Sequence, residues 1–396
     1  MLSKRADLLK PSPTLAIAAK EKALKAQGLD IAGFGAGEPD FDTPEHIKKA
    51  GIKAINENFT RYTPASGIDS LKDAVIEKFI KDNGLSYKRD EIVISCGGKH
   101  TLYNLFQAIL QEGDEVLIPV PYWVSYPPMV ELAGAKPVFL ETHENEDYQL
   151  TGDMLKKYVN KNTRAIILNY PSNPVGSIFS RENLEQIGKI AVENNFYIIS
   201  DEIYEKLTFD EYTHVSIASI DKSIKEKTIL CHGVSKTYAM TGWRIGFAAG
   251  SADIIKAMGN IQSQSTSNPA SIAQIAAVAA LTGPQDSIVA MVKEFKKRRD
   301  YLVAELRSIK GITCYNPRGA FYVFPNFNII MGKKYKDRLI ENSSVWTEIL
   351  LESFHTAVVP GVEFGAEGYI RLSFATSMDI IEKGVARIKE AVASLE

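Results

Sequence analysis

The chain is poor in cysteine, has no excess of positive charge and contains no long apolar run, and each shortage excludes a class of proteins. Its 396 residues include three cysteines, Cys96, Cys231 and Cys314, which are widely spaced. Because such spacing does not build a disulfide framework, we expect free thiols, buried at Cys96 and Cys231, in a reducing compartment. The net charge of −2 provides no basic field for nucleic acid or an anionic membrane.

The apolar runs and the basic residues give further exclusions. No run approaches the roughly eighteen apolar residues of a membrane span, and the segment MLSKRADLLKPSPT lacks the apolar core of a secretory signal. We therefore expect a cytoplasmic protein. The cluster KEFKKRR at residues 293–299 continues a helical pattern through Phe295, which favours a solvated helix face over a binding patch. The six histidines form no close pair with metal-ligand spacing, so no metal site is expected.

What the chain does contain is the composition of a globular enzyme, with 45% hydrophobic and 24% charged residues, and enough length for two domains. Between residues 44 and 285, apolar strand-like runs alternate with helical patterns, which predicts a large α/β domain with a mostly parallel central sheet. Residues 286–396 begin with a long charged helix and continue into strands at 311–327 and 368–374 interspersed with helices, which predicts a smaller α+β domain. Residues 1–43 are expected to pack on the small domain, since a short terminal segment needs a surface to dock against.

Polar residues follow four of the predicted strands, and ligands of open parallel sheets bind at such strand ends. The residues are, in chain order, the Gly97-Gly98-Lys99 turn, Asn173, Asp201 with Tyr204, and Lys236. Together they supply a helix N-terminus suited to an anion, an amide, a carboxylate with a phenol, and an amine. Taken singly, each has a plainer explanation, such as a tight turn at the glycines or a helix cap at Asp201. Their convergence on one rim of the sheet is what predicts a site.

Lys236 and Arg244 both lie in the stretch GVSKTYAMTGWRIG, where a loop leaves a strand. A lysine that is partly desolvated has a lowered pKa and offers a neutral amine for imine formation. Arg244 offers a forked donor suited to phosphate. Alone, the pair is more simply a surface lysine and a structural arginine. With the other strand ends, it predicts a phosphorylated aldehyde held as a Schiff base, which is pyridoxal 5′-phosphate (PLP).

Motifs along nearly the whole chain support that prediction as a group. They are KPSPTLAI, AGEPDFDTP, RYTPASG, GGKHTLYNLFQAI, PYWVSYP, NYPSNPVG, SDEIYE, SKTYAMTGWRIG, GAFYVF and YIRLSFATS. With these motifs the chain resembles the class I aminotransferases of PLP fold type I, in particular the bacterial and plant-type aspartate aminotransferases, including the aspartate/prephenate branch. The resemblance implies a central sheet of the seven-stranded type, amino acids and 2-oxo acids as substrates, and a homodimer with shared active sites.

The family pattern implies a role for each matching position. Lys236 would form the Schiff base and then move a proton between the substrate Cα and the cofactor. Asp201 would pair with the pyridine nitrogen, while Tyr204 and Asn173 bond the ring oxygen. Trp123 would stack on the ring; the alternative is a loop aromatic that fills the core.

The resemblance also implies how the phosphate is held. The implied phosphate contacts are Gly98, the backbone of Lys99, Arg244 and, from the neighbouring subunit, Tyr62. Many family members carry a serine three positions before the lysine that donates to the phosphate. Here that position is Gly233, so a phosphate contact from Ser235, beside the lysine, is left open.

Substrate contacts follow from the same resemblance. Arg371 matches the arginine that binds the α-carboxylate bidentately, and the alternative is a charge at a strand edge. Gly37 would let the carboxylate approach the backbone. Lys99 and Thr14 occupy the positions that read the distal carboxylate in this branch; the alternatives are an exposed first-turn lysine and a helix N-cap. Trp123 and Asn173 complete the implied set.

These expectations describe an aspartate aminotransferase that works by a ping-pong cycle between PLP and its amine form. Aspartate and 2-oxoglutarate would give oxaloacetate and glutamate, and the same carboxylate contacts are compatible with prephenate. The alternatives within the fold are an aromatic or alanine aminotransferase and a PLP-dependent lyase or synthase. A PLP-dependent transcriptional regulator would need an added DNA-binding domain, for which the chain has neither spare length nor a basic surface.

Overall fold

The computed structural model of the chain describes residues 3, 6, 7, 9, 11 and 13–396. Its helices are α1 Pro13–Ala26, α2 Glu45–Asn56, α3 Asp69–Asn83, α4 Gly98–Ile109, α5 Tyr126–Leu132, α6 Gly152–Lys156, α7 Arg181–Glu193, α8 Lys222–Lys227, α9 Ala252–Ser265, α10 Ser271–Thr282, α11 Asp286–Arg307, α12 Ser343–Phe354 and α13 Met378–Ala393. Its strands are β1 Ala32–Gly33, β2 Ile92–Ser95, β3 Glu115–Val120, β4 Lys136–Glu141, β5 Thr163–Asn169, β6 Tyr197–Asp201, β7 Thr228–Gly233, β8 Gly246–Ala249, β9 Tyr322–Val323, β10 Lys334–Tyr335, β11 Arg338–Leu339, β12 Thr356–Ala357, β13 Val359–Pro360 and β14 Ile370–Ser373.

Seven strands form the central sheet, in the order β2-β8-β7-β6-β5-β3-β4. Strands β4, β3, β5, β6 and β7 run parallel to one another, whereas β8 is antiparallel to both β7 and β2. The prediction of an α/β fold with a mostly parallel sheet is confirmed. The edge strand β4 was not predicted, because most of its side chains are at least partly exposed and KPVFLE is not a continuous apolar run.

Helices cover both faces of the sheet, which explains why the inner strands are apolar throughout. On one face, Phe106 of α4 packs in the same cluster as Val93 and Ile118. The opposite face is filled near β8 by a cluster that contains Phe247. A third cluster lies under α7, around Leu168. Side chains that alternate along one strand therefore enter different cores, as the pleat requires.

The C-terminal part of the chain has a core of its own. Helices α11, α12 and α13 pack against the three-stranded sheet β13-β14-β9, and the core between them contains Phe295, Phe321 and Trp346. Strand β1 joins this part by pairing in parallel with β12, and Phe34 lies in the same core. The boundaries at residues 43/44 and 285/286 stay predictions.

Two expectations about local structure were wrong. Residues 311–327 were expected to form strands, but only Tyr322–Val323 is regular, since Arg318 and Gly319 bond instead to the carbonyl of Gly176. Cys96 is only partly buried, because it lies in the turn between β2 and α4.

Within the described residues, no single helix has the length and apolar character needed to cross a membrane. Helices α10 and α11 have the required length and composition only when they are taken together, and they are bent by 80° relative to each other.

Candidate active site

The predicted site residues meet in a cavity of about 430 Å³ at the carboxyl ends of β5, β6 and β7. The predicted residues that line it are Thr14, Gly37, Gly98, Lys99, Trp123, Asn173, Asp201, Tyr204, Ser235, Lys236, Arg244 and Arg371. The exception is Tyr62, which lies outside the cavity. The sheet brings the residues together because the ends of neighbouring parallel strands share one edge: Asp201, the last residue of β6, is in register with Cys231 of β7.

Lys236 lies three residues beyond the end of β7, and its ammonium group donates to the carbonyl of Gly37. Desolvation lowers the pKa of Lys236 to about 8; the negative charge of Glu38 opposes this shift, and Arg244 and Arg371 add to it. At neutral pH a fraction of this lysine is therefore a free amine, able to act as a nucleophile or a base.

Asp201 is buried, and burial raises its pKa to about 6. Two donors favour its ionised form: the Tyr126 hydroxyl at 2.7 Å from Oδ2 and the Ile203 N–H at 3.3 Å from Oδ1. A buried carboxylate of this kind suits a cationic partner inside the cavity, because a positive charge there would stabilise the ionised form. A protonated pyridine nitrogen meets that need.

An anion cradle lies where β2 turns into α4. Gly97 has φ +91°, and a Cβ there would come within 2.4 Å of Arg244 Nη2. The guanidinium therefore lies directly against the turn, with Nη1 donating to the Thr241 carbonyl at 2.9 Å. The first N–H groups of α4, which begins at Gly98, have no partner within the helix and suit a phosphate.

Gly233 departs from the family serine for a packing reason. A Cβ at Gly233 would lie 2.8 Å from the carbonyl oxygen of Ile245, so β7 and β8 approach too closely for a side chain. Ser235 is buried and lines the cavity.

Arg371 is buried on β14, and no carboxylate of the described residues bonds to it. Its Nη1 donates to Asn173 Oδ1 at 3.1 Å and its Nη2 to the Gly35 carbonyl at 2.9 Å, while its Nε has no partner. The guanidinium also lies over the rings of Tyr322 and Phe364, at 4.5 and 5.1 Å from their centroids. A buried cation with an unused N–H suits a ligand carboxylate.

Lys99, Trp123 and Thr14 line the cavity from three different elements. The Lys99 ammonium lies 5.1 Å from the centre of the Trp123 ring. Trp123 in turn packs edge to face on Tyr126, with ring centres 5.3 Å apart. A side-chain ammonium at this place leaves a positive charge facing the cavity beside an aromatic plane.

Tyr62 lies on the surface of its own chain, with 93% of its side chain exposed. Ile52, Ile55 and Phe59, on α2 and just after it, are exposed as well. Four exposed apolar or aromatic side chains so close in sequence are unusual for an unpartnered surface.

The cavity also contains residues that the sequence reasoning missed. Tyr126, Glu38 and Tyr322 line it, and each lies in a motif quoted above, PYWVSYP, AGEPDFDTP or GAFYVF. In the sequence, the two tyrosines resemble core residues and the glutamate resembles a turn residue, so nothing near them indicated a place in the site. Their position within those motifs is the signal that could have found them.

A cluster of titratable residues beneath β6 was also missed. Glu202, Glu205 and His214 bring their ligand-type atoms within 4.8 Å of one another, although they are not spaced like metal ligands in the sequence. His214 lies 2.8 Å from Glu202, and Lys78 pairs with Glu205. The carboxylates therefore already have basic partners within the protein.

The geometry agrees with comparisons to known proteins. A family model for aminotransferases of class I and II matches residues 30–388. The aspartate aminotransferase of Bacillus sp. (strain YM-2) is 49% identical over 392 residues, which cover 99% of each chain. A probable aspartate/prephenate aminotransferase of Rickettsia felis is 47% identical over 100% of this chain and 97% of its own. The structure of Thermus thermophilus aspartate aminotransferase with maleate is similar with a TM-score of 0.92 and 41% identity, over 98% of this chain and 99% of that one. The chain therefore belongs to the class I and II aminotransferases.

Proposed function

We propose that this protein is a PLP-dependent aspartate aminotransferase. The observation that carries the proposal is the convergence in one cavity of a lysine of lowered pKa, a buried carboxylate and a buried arginine that pairs with no carboxylate in the described part of the chain. A binding protein would have no use for a partly neutral amine at that place. The names of the relatives favour aspartate over the aromatic and alanine alternatives.

The residues of the cavity fit PLP. Asp201 would pair with the ring nitrogen, and Tyr204 and Asn173 would bond the ring oxygen. Arg244 and the first turn of α4 would hold the phosphate, with Ser235 within the same loop. When bound, PLP withdraws electrons from the substrate Cα and so makes its proton acidic.

The protein's own groups then move that proton. Lys236, with a pKa of about 8, is suited to take the proton from Cα and return it elsewhere, since a base works best when its pKa is near the working pH. Arg371 would hold the α-carboxylate through two parallel N–H groups. Gly37 lines the same part of the cavity without a side chain and leaves room for that carboxylate.

Selection of a dicarboxylic substrate would rest on Lys99 and Thr14. Both line the cavity, and the Lys99 ammonium lies over the Trp123 ring. The Thermus relative is described with maleate, a four-carbon dicarboxylate. The Rickettsia relative is named for prephenate as well as aspartate, and prephenate also presents a second carboxylate, so amination of prephenate is part of the proposal.

The assembly that we propose is a homodimer in which Tyr62 reaches the phosphate of the neighbouring subunit. Its side chain is 93% exposed and cannot serve the cavity of its own chain. The exposed Ile52, Ile55 and Phe59 would be covered by the partner. A large PLP-binding domain at residues 44–285, a small domain at 286–396 and a cytoplasmic location complete the proposal.

A direct assay tests the function. Purified protein loaded with PLP is given aspartate and 2-oxoglutarate, and oxaloacetate is followed through a coupled dehydrogenase. We expect turnover of aspartate well above that of alanine or tyrosine, and borohydride reduction followed by mass spectrometry should place the pyridoxyl group on Lys236. Lack of oxaloacetate, or a label on another lysine, would overturn the proposal.

A further inference from the structure

We propose that Tyr322 is a positioning residue that connects the cofactor side of the cavity to its substrate side. The inference deepens the proposed function and rests on it. Tyr322 is fully buried on β9 and lines the cavity. It contacts Tyr204, which would bond the cofactor, and Arg371, which would bind the substrate carboxylate.

The register of the small sheet explains why one side chain reaches both residues. Strand β9 is antiparallel to β14, and Tyr322 pairs with Ser373, two positions after Arg371. The ring therefore lies beside the guanidinium, which is 4.5 Å from the ring centre. A cation held over an aromatic face is stabilised without an acidic partner. Arg371 thus keeps its charge available for a ligand carboxylate.

The hydroxyl of Tyr322 contacts the hydroxyl of Tyr204, with the two oxygens 3.0 Å apart. Each phenol has one hydrogen to donate. If Tyr322 donates to the Tyr204 oxygen, the hydrogen of Tyr204 is free to point into the cavity, towards a ring oxygen. If the direction is reversed, Tyr204 has no hydrogen left for the cofactor. A hydrogen bond donated by Tyr322 also polarises the Tyr204 hydroxyl and so makes it a stronger donor to the ring oxygen.

A third contact places the same hydroxyl against the loop that carries Gly37. A Cβ at Gly37 would lie 3.3 Å from the Tyr322 hydroxyl, and the Gly37 carbonyl accepts a hydrogen bond from Lys236. The Tyr322 side chain thus borders the loop of Gly37 as well as Tyr204 and Arg371. A change in its orientation would be felt on both sides of the cavity.

Two variants separate the two contacts. Tyr322→Phe removes the hydroxyl and keeps the ring under Arg371. A donor to the ring oxygen favours the deprotonated form of the bound cofactor, and Tyr204 donates more weakly without the hydrogen bond from Tyr322. This variant should therefore raise the midpoint of the cofactor's absorbance change with pH by about 0.5–1 unit. Tyr322→Leu removes the ring as well, and should also weaken maleate binding roughly 3- to 30-fold, as expected for a lost cation–π contact.

The hydroxyl contact has its own double-mutant test. Tyr204→Phe should raise the midpoint more than Tyr322→Phe, and the double variant should show no further rise, because Tyr322 acts through Tyr204. Tyr315→Phe, which deletes a buried hydroxyl that does not line the cavity, is the matched control and should leave the midpoint unchanged.

The outcomes are distinct. An unchanged midpoint in Tyr322→Phe, or additive shifts in the double variant, overturns the inference even when the wild-type enzyme binds PLP and converts aspartate. If the wild type does not bind PLP, the proposed function fails first. The phenylalanine variant decides the hydroxyl role even when Tyr322→Leu does not fold, since it leaves the packing of the ring in place.

Discussion

Two titratable residues in the cavity owe their chemistry to burial. Asp201 and Lys236 are charged groups at neutral pH in water, yet burial raises the pKa of the acid to about 6 and desolvation lowers that of the amine to about 8. Both shifts favour the neutral forms in the cofactor-free protein. The same burial makes both groups sensitive to charges that a ligand brings into the cavity.

The raised pKa of Asp201 predicts a pH-dependent stability of the cofactor-free protein. The folded pKa of about 6 exceeds the ordinary value of 3.8, so this residue's favourable contribution is present below pH 3.8 and is lost as the pH rises through 6. Asp201→Asn cannot ionise. The free energy of unfolding of the wild type should therefore fall relative to the variant by about 2 kcal/mol between pH 4 and pH 7.

Urea unfolding of both proteins without PLP, at pH values from 4 to 8, measures this difference. Asp153→Asn, at a side chain that is 91% exposed, is the control and should show no comparable trend. If the difference between wild type and variant stays constant with pH, the raised pKa of the buried Asp201 is contradicted.

Lys99 should decide the substrate without affecting the cofactor. In Lys99→Met the ammonium is lost and the length of the side chain is kept. A charged hydrogen bond to the distal carboxylate is worth about 1.5–3 kcal/mol, so kcat/KM for aspartate should fall roughly 10- to 150-fold while that for alanine changes little. The absorbance of bound PLP should be retained.

The control for this experiment is Lys136→Met, at a lysine that is 73% exposed and does not line the cavity. Steady-state kinetics with both amino acids give the comparison. Equal losses for aspartate and alanine would show that Lys99 supports the site in general and does not select the dicarboxylate.

At the scale of elements, the junction of β2 and α4 determines how the phosphate would be held. Gly97→Ala places a methyl group against Arg244, because the added Cβ would come within 2.4 Å of Nη2. The guanidinium must move, and its contact with a phosphate is lost. We expect at least a tenfold higher dissociation constant for PLP, corresponding to about 1.4 kcal/mol or more.

Gly113→Ala is the matched control for that variant. Gly113 has φ +92°, close to the +91° of Gly97, but a Cβ there meets nothing within 4 Å. Both alanines therefore stand at a positive φ that disfavours a side chain, and only one displaces Arg244. Fluorescence titration with PLP should separate them; equal affinities would exclude the clash as the cause.

Also at this scale, the pattern of apolar runs predicted the buried strands well, including the edge strand β2, and missed the exposed edge strand β4. Strands β2 and β7 are buried along their whole length and read as continuous apolar runs. Strand β4 has one neighbour and mixed exposure, so its sequence has no comparable signal. The segment 311–327 was overpredicted, because its backbone groups bond to loops as well as to strands.

At the scale of the whole molecule, the proposed dimer would complete each site with Tyr62 from the neighbouring chain. Subunit mixing tests this directly. Lys236→Ala has no amine, and Tyr62→Ala lacks the donor to the partner's phosphate. In a mixed dimer, one site contains both an intact lysine and an intact Tyr62, so a 1:1 mixture allowed to exchange should recover about a quarter of the wild-type activity of the same total protein.

The control mixes Lys236→Ala with Arg244→Ala, whose changes would both affect the lysine's own site in cis. A mixed dimer of these two has no complete site, and activity should not recover. Recovery in this control, or its absence in the Tyr62 mixture despite exchange shown by mass spectrometry, would contradict a shared active site.

The amino-acid sequence by itself determined the class of fold, the inner strands and about half of the residues that line the cavity. Each of these depends on local chemistry: apolar runs form buried strands, and polar residues placed directly after Ser95, Leu168 or Ser200 must come to one edge of a parallel sheet. The motifs then related those positions to a family.

Only the tertiary structure decided which groups touch. The contacts of Tyr126 with Asp201 and of Tyr322 with Arg371 join residues 75 and 49 positions apart, and no periodicity connects them. The pKa values of Lys236 and Asp201 likewise depend on how much water the assembled cavity excludes. Desolvation and long-range contacts arise from packing between elements, which exists only once the chain has folded.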